Sequence, residues 1–192
     1  MNKYYWIIYF FFGFAIAQDS SFTFQQNDYV NIPNSESIQP ISAMTIECWV
    51  NPEQEGYSNF DPVIQYSRLT SNGEESGFSI VYYAGMFRFV VGVGNGQNDI
   101  FGDGLELWPG TVVNNDTWTH IAGTYDSVTG IAKIFKNGYE QASLVTEGGA
   151  INWDFISDMD MKFGRSINID IGELDSYFSG SLDEVRLWNY AF

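Results

Sequence analysis

The chain has 192 residues, with 24 Asp and Glu against 8 Lys and Arg, for a formal charge of −16. Such a surface repels nucleic acid and anionic lipid, while the length is that of about one domain with room for a buried core. A single His and a single Cys rule out an intrachain disulfide and leave too few ligands for a His/Cys zinc site.

The opening segment is not part of that core. Met1–Ala17 carries Lys3 and then an uncharged apolar run from Tyr4, ending Ala15-Ile16-Ala17 before Gln18. This is the pattern of a secretory signal peptide with a small-x-small cleavage site. The alternative, a membrane anchor, needs about 20 apolar residues, and the run is shorter. Gln18, not a cysteine, stands directly after the site, so no residue is placed there to take a lipid. The expected working part is therefore residues 18–192, one extracytoplasmic domain, secreted or at the cell surface, with no membrane span after cleavage.

From there short segments rich in β-branched and aromatic residues follow one another, separated by Gly, Asn, Asp and Pro. Strands are expected at Ser21–Phe24, Tyr29–Ile32, Thr45–Val50, Val63–Ser67, Phe78–Tyr83 and Met86–Val93, the last two joined tightly at Ala84-Gly85. Trp118–Tyr125 and Ile131–Phe135 form a hairpin around Asp126–Gly130. Asn137-Gly138 then predicts a second turn, because both central positions of a type I′ turn need positive φ. Ala142–Val145, Met161–Gly164 and Gly180–Trp188 complete the series. No helical period is sustained, and the spacing predicts an all-β fold of two antiparallel sheets packed face to face. Cys48 alternates with Ile46 and Val50, which places it in the core; an intermolecular bridge is the alternative.

Three stretches break the alternation and are expected to be loops: Glu53–Pro62, Gly94–Val113 and Gly148–Asp160. They carry the aromatics Tyr57, Phe60, Trp108 and Trp153 among Asn, Gly, Asp and Gln, and loops on a rigid scaffold are where binding residues concentrate.

The run WTHIAGTYDSVTGIAKIFKNGY (Trp118–Tyr139) resembles the W-x-H-V-A-x-x-Y-D … L-Y-x-N-G core of laminin G-like, concanavalin A-type jelly rolls, through Trp118, His120, Ala122, Tyr125, Asp126, Asn137 and Gly138. The resemblance extends to Phe24–Pro33, Met44–Pro52, Met161–Arg165 and the closing Tyr177–Phe192, covering nearly all of the chain after the leader. It implies a two-sheet concanavalin A-like jelly roll, used in secreted proteins often as one module of several.

The same resemblance requires a test for catalysis, since this sandwich also hosts glycoside hydrolases. Retaining members carry Glu-x-Asp-x-x-Glu or Glu-x-Asp-x-Glu on one strand, and two carboxyls about 5.5 Å apart are what the mechanism needs. Glu173-Leu174-Asp175 begins such a motif, but Tyr177 and Phe178 stand where the second Glu belongs. Asp183 and Glu184 are adjacent, so strict alternation sends them to opposite faces. His120 lies within a strand, where the family pattern also has His, and no nucleophilic triad can be assembled around it. A non-catalytic module is the expectation.

Calcium asks only for oxygen donors. By resemblance, Asn27, Asp28 and Asp183 are the nominees, brought together if the first and last strands pair at one edge. The alternative makes Asn27-Asp28 a simple turn and leaves Asp183 bonded to main chain or to an arginine. Asp170, Glu173 and Asp175 are read as a solvated acidic group. For an organic ligand, sugars fit best: their apolar faces stack on aromatics and their hydroxyls bond to Asn, Asp and Gln. Trp108, Trp153 and Tyr57, with Asn98 and Asp99, are the expected contacts, unless the rings fold down to cap the sandwich. The expected partner is thus an extracellular glycan or, alternatively, a cell-surface protein bound in adhesion.

Overall fold

The computed structural model describes residues 21–25, 27–53, 61–69, 75–83, 86–93, 111–112, 116–146, 148–154, 156, 158–166 and 176–192. Fourteen strands occur among these residues: β1 (Phe22–Phe24), β2 (Val30–Ile32), β3 (Ala43–Pro52), β4 (Asp61–Leu69), β5 (Glu75–Tyr83), β6 (Met86–Val91), β7 (Thr111–Val112), β8 (Thr119–Asp126), β9 (Ile131–Lys136), β10 (Tyr139–Val145), β11 (Met161–Phe163), β12 (Arg165–Ser166), β13 (Ser176–Tyr177) and β14 (Gly180–Trp188). The only helical element among them is a 3-10 turn at Glu36–Ile38, capped by the Ser35 hydroxyl, which accepts from Ser37 N. No described helix is long and apolar enough to cross a membrane.

The first sheet runs β1-β14-β3-β8-β9-β10, the second β2-β11-β4-β5-β6-β7, and β12 pairs with β13 separately. Every pairing is antiparallel. This is the jelly-roll sandwich that the strand spacing and the resemblance predict. Alternation explains it: β3 sends Met44, Ile46, Cys48 and Val50 inward, all fully buried, against Ile64 and Tyr66 of β4, Phe78 and Ile80 of β5, and Phe87 and Phe89 of β6. Cys48 sits in this core as expected, and burial first, then the charge of Glu47, pushes its thiol up to about 12.

Local chemistry sets the connections. Asp126 Oδ1 accepts from Val128 N and Thr129 N, closing the β8–β9 turn. Asn137 and Gly138 take φ 49 and 80, the left-handed pair that the β9–β10 turn requires. Strands β3 and β4 run further than their expected bounds, so that Asp61 and Pro62 belong to a strand. The span expected to be a loop at Gly148–Asp160 holds a bridge between Ile151 and Val93. The tight connection expected at Ala84-Gly85 lies outside the described residues.

One irregularity matters for the last strand. Asp183 faces Trp49 and Arg186 faces Glu47, so β14 carries one extra residue there, with Glu184 at φ 48. The bulge keeps Leu182 and Val185 both turned to the core despite their odd spacing. It also overturns the expected opposition of Asp183 and Glu184. Asp183 shares the outward face with Trp49, and Glu184 reaches the outward Arg186, its Oε2 lying 2.7 Å from Nη2.

Candidate functional site

The nominated metal ligands do not converge. Pairing of β1 with β14 puts Phe24 opposite Gly180. From that point Asn27 and Asp28 continue one way, while Asp183 lies three residues the other way, about 10 Å along the strand. Asn27 is in a turn at φ 73; Asp28 Oδ2 accepts from Gln25 N at 3.1 Å, and Asp183 Oδ1 from Glu184 N at 2.7 Å. Among the described residues no group of three or more His, Cys, Asp or Glu could hold an ion. Asn27 and Asp28 thus lie on one side of the Phe24–Gly180 pair and Asp183 on the other, because strand pairing at an edge fixes a register as well as a neighbour.

Of the expected sugar contacts, Tyr57, Asn98, Asp99 and Trp108 lie outside the described residues, as do Asp170, Glu173 and Asp175. Trp153 is described and packs inward. Its ring centroid is 5.1 Å from that of Tyr66 and 6.1 Å from that of Phe78, and its Nε1 donates to Pro40 O at 3.0 Å. A Trp in a Gly- and Asp-rich stretch looks like a surface platform, but here it closes one end of the core. Tyr177 and Phe178 part company: Phe178 is buried against Phe24 and Tyr82, while Tyr177 lies beside Arg165.

His120 sits on the outward face of the first sheet. Its ring meets Trp49 edge-on at 5.5 Å, and its Nε2 lies 3.2 Å from Glu47 Oε2. Glu47 also accepts from Trp188 Nε1 at 3.0 Å and has Arg186 at 3.7 Å. One carboxylate thus joins β3, β8 and β14, and this cluster braces the sheet.

A different set is gathered on the outward face of the second sheet. Since Val30, Ile32, Met161, Phe163, Ile64, Tyr66, Phe78 and Ile80 turn inward, the residues between them turn out. Register then aligns Asn31 with Lys162, Lys162 with Gln65, and Gln65 with Ser79, one polar side chain on each of β2, β11, β4 and β5. Asn31 is exposed, Lys162 and Gln65 are half-buried, and Ser79 is nearly closed off. The open part of the row is thus over β2 and β11. Asp160 steadies this end: its Oδ2 accepts from Asn31 Nδ2 at 2.6 Å and its Oδ1 from Asn34 N at 2.9 Å, which holds its carboxyl below the usual range.

Beside the row, the Arg165 guanidinium lies 4.8 Å from the Tyr29 ring centroid and 5.5 Å from that of Tyr177. Lys162 Nζ donates to Asp160 O at 3.3 Å, which leaves ammonium protons for another acceptor. Burial lowers the Lys162 pKa; Asp160 opposes this and Arg165 adds to it. Two cations and two tyrosines thus border a line of amide and hydroxyl groups, on a chain that is otherwise strongly acidic. Alternation alone could have placed Asn31, Gln65 and Lys162 off the core face. Only the pairing of strands far apart in sequence makes them neighbours.

Among solved structures, similar folds include a putative carbohydrate binding protein from Bacteroides ovatus, with TM-score 0.63 and 20% identity over 90% of this chain, which spans 44% of that one. The Ruminococcus gnavus IT-sialidase CBM40 bound to α2,3 sialyllactose has TM-score 0.65 and 15% identity, with 90% and 91% of the two chains covered. Domains LG4-5 of the mouse laminin α1 chain have TM-score 0.57 and 11% identity, covering 85% and 39%. At these identities the likeness is one of fold. Comparison with curated proteins gives no match. The family model described as the concanavalin A-like lectin/glucanases superfamily matches residues 24–192, and the chain belongs to that superfamily.

Proposed function

We propose that this chain is a secreted, non-catalytic glycan-recognition module whose contact surface is the outward face of the second sheet around Lys162. The observation that carries the reading is the open part of the polar row, Asn31–Lys162–Gln65, laid beside the Tyr29–Arg165–Tyr177 stack. Such a surface offers a sugar both ring faces and hydrogen-bonding groups. The cations favour glycans bearing a carboxylate, which the rest of so acidic a surface would repel. Carbohydrate-binding relatives of the same fold support the class of ligand.

Titration with 3′-sialyllactose tests the reading. Replacing Lys162 by Ala removes a charge-assisted hydrogen bond, about 1.5–3 kcal/mol, and binding should weaken at least about 10-fold. Unchanged affinity in Lys162→Ala, or no binding by the unaltered protein, would refute it. Calcium belongs to the proposal as a structural ion, and melting with calcium and with chelator checks it.

Adhesion to another protein is the second reading. It is favoured by β10, the edge of the first sheet, where Tyr139 and Val145 are 76% and 71% exposed.

A further inference from the structure

A cleft of about 510 Å³ opens between the 3-10 turn, the segment leading into β3 and the end of β14. Its size lies within the range of small-molecule sites, about 300–1,000 Å³. Pro40, Ile41, Leu187 and Trp188 are its apolar lining residues, the Trp188 ring also lying 5.7 Å from that of Tyr190 and 6.1 Å from that of Phe192, and Gln39, Ser42 and Asn189 are polar ones. Among the described residues no Lys, Arg or His lines it, and the one charged lining residue is Glu36.

The walls are held before any ligand arrives. Gln39 Nε2 donates to Asn34 Oδ1 and to the Tyr66 hydroxyl, both at 2.9 Å, and Pro40 O receives Trp153 Nε1. Ile41 O and Ser42 O accept from Ile151 N and Ser127 N, each at 2.8 Å. Opposite, Trp188 is fixed through Nε1 to Glu47, and Thr45 Oγ1 donates to Tyr190 O at 2.8 Å. A site built this way loses little ordering entropy on binding.

We propose that this cleft is a second carbohydrate subsite, selective for uncharged sugars, in which the Trp188 ring takes the apolar face of a pyranose and Gln39, Ser42 and Asn189 bond its hydroxyls. The inference rests on the reading of the chain as a glycan-binding module and adds a second place and a different ligand charge. Glu36, with no cation beside it in the cleft, excludes carboxylated sugars, opposite to the selection made by Lys162 and Arg165.

Titration of the purified protein with cellobiose, maltose and N,N′-diacetylchitobiose, and separately with 3′-sialyllactose, followed by the tryptophan indole N–H resonances, tests this. Glu36 and Asn189 are exposed, so Glu36→Ala/Asn189→Ala leaves the core intact. At least one neutral disaccharide should bind, shift the Trp188 signal and lose about 10-fold or more in affinity in the double variant. In that variant the Lys162-dependent binding of 3′-sialyllactose should be unchanged. Lys162→Ala should give the converse pattern. Neutral-sugar binding unaffected by the double variant, or lost in Lys162→Ala instead, overturns the cleft, as does binding of 3′-sialyllactose alone. Binding of no sugar at all overturns the glycan reading and the cleft together.

Discussion

Gly123, in the middle of β8, faces Phe89 across the sandwich closely enough for one substitution to measure the contact. A Cβ added there would stand 2.3 Å from Cδ2 and 2.4 Å from Cγ of Phe89, on β6 of the facing sheet. Carbons in contact normally lie about 3.5–4.0 Å apart, so the overlap exceeds about 1 Å. Phe89 is fully buried among other core side chains and has no free space to yield into. Overpacking of a core costs about 1–3 kcal/mol, and an overlap of this size places Gly123→Ala near the top of that range. For a domain of this size about 3 kcal/mol is a fall of roughly 6–12 °C in Tm. Phe89→Leu alone should cost about 1–2 kcal/mol through the space it leaves. The double variant should then be less damaged than the two costs added, by at least about 1 kcal/mol, because the new methyl fills what the ring vacates. Urea unfolding of the four proteins measures this directly, with a constant slope as the check on two-state behaviour. Simple additivity, or a loss below about 0.5 kcal/mol in Gly123→Ala, would refute the claimed contact.

Burial raises the Asp61 pKa from 3.8 to about 6, so the folded state prefers the protonated carboxyl. Its contribution is complete below about pH 4 and is lost as pH rises through about 6. Two pH units correspond to about 3 kcal/mol, reduced to about 1 by solvent screening of a half-buried group. Asp61→Asn should therefore stabilise by about 1 kcal/mol at pH 8 and by nothing at pH 4; equal gains at both values would contradict it. Trp153→Ala should cost about 3–5 kcal/mol, whereas Trp153→Phe, which keeps a ring but leaves Pro40 O without its donor, should cost less. Denaturant midpoints that rank the two the other way would show that the hydrogen bond outweighs the packing. If Asp28 and Asp183 are confined to local backbone bonds, Asp28→Ala/Asp183→Ala should leave any calcium-dependent Tm shift intact, and its disappearance would restore them as ligands.

Much of the fold was legible because β structure writes itself in short local patterns. Alternation through Met44–Val50 identified a core face that includes Cys48, and Asn137-Gly138 announced its turn by the backbone angles it needs. The two-residue strands β7, β12 and β13 left no such trace, since two residues carry no period. The bulge at Asp183–Arg186 was hidden for the opposite reason: its insertion preserves the inward Val185 while defeating the simple count that predicted faces. The candidate site was least legible. Asn31, Gln65, Ser79 and Lys162 are ordinary polar residues in their own strands, and only the register of β2, β11, β4 and β5 turns them into one line. Trp153 misled in the other direction, because a loop sequence does not say which way its side chains fold.

The place of β14 between β1 and β3 has a kinetic consequence. β1 joins the rest of the first sheet only through β14, whereas β3, β8, β9 and β10 pair without it. The pairings of β14 with β1 and β3 join segments far apart in sequence, and contacts of high sequence separation make folding slow.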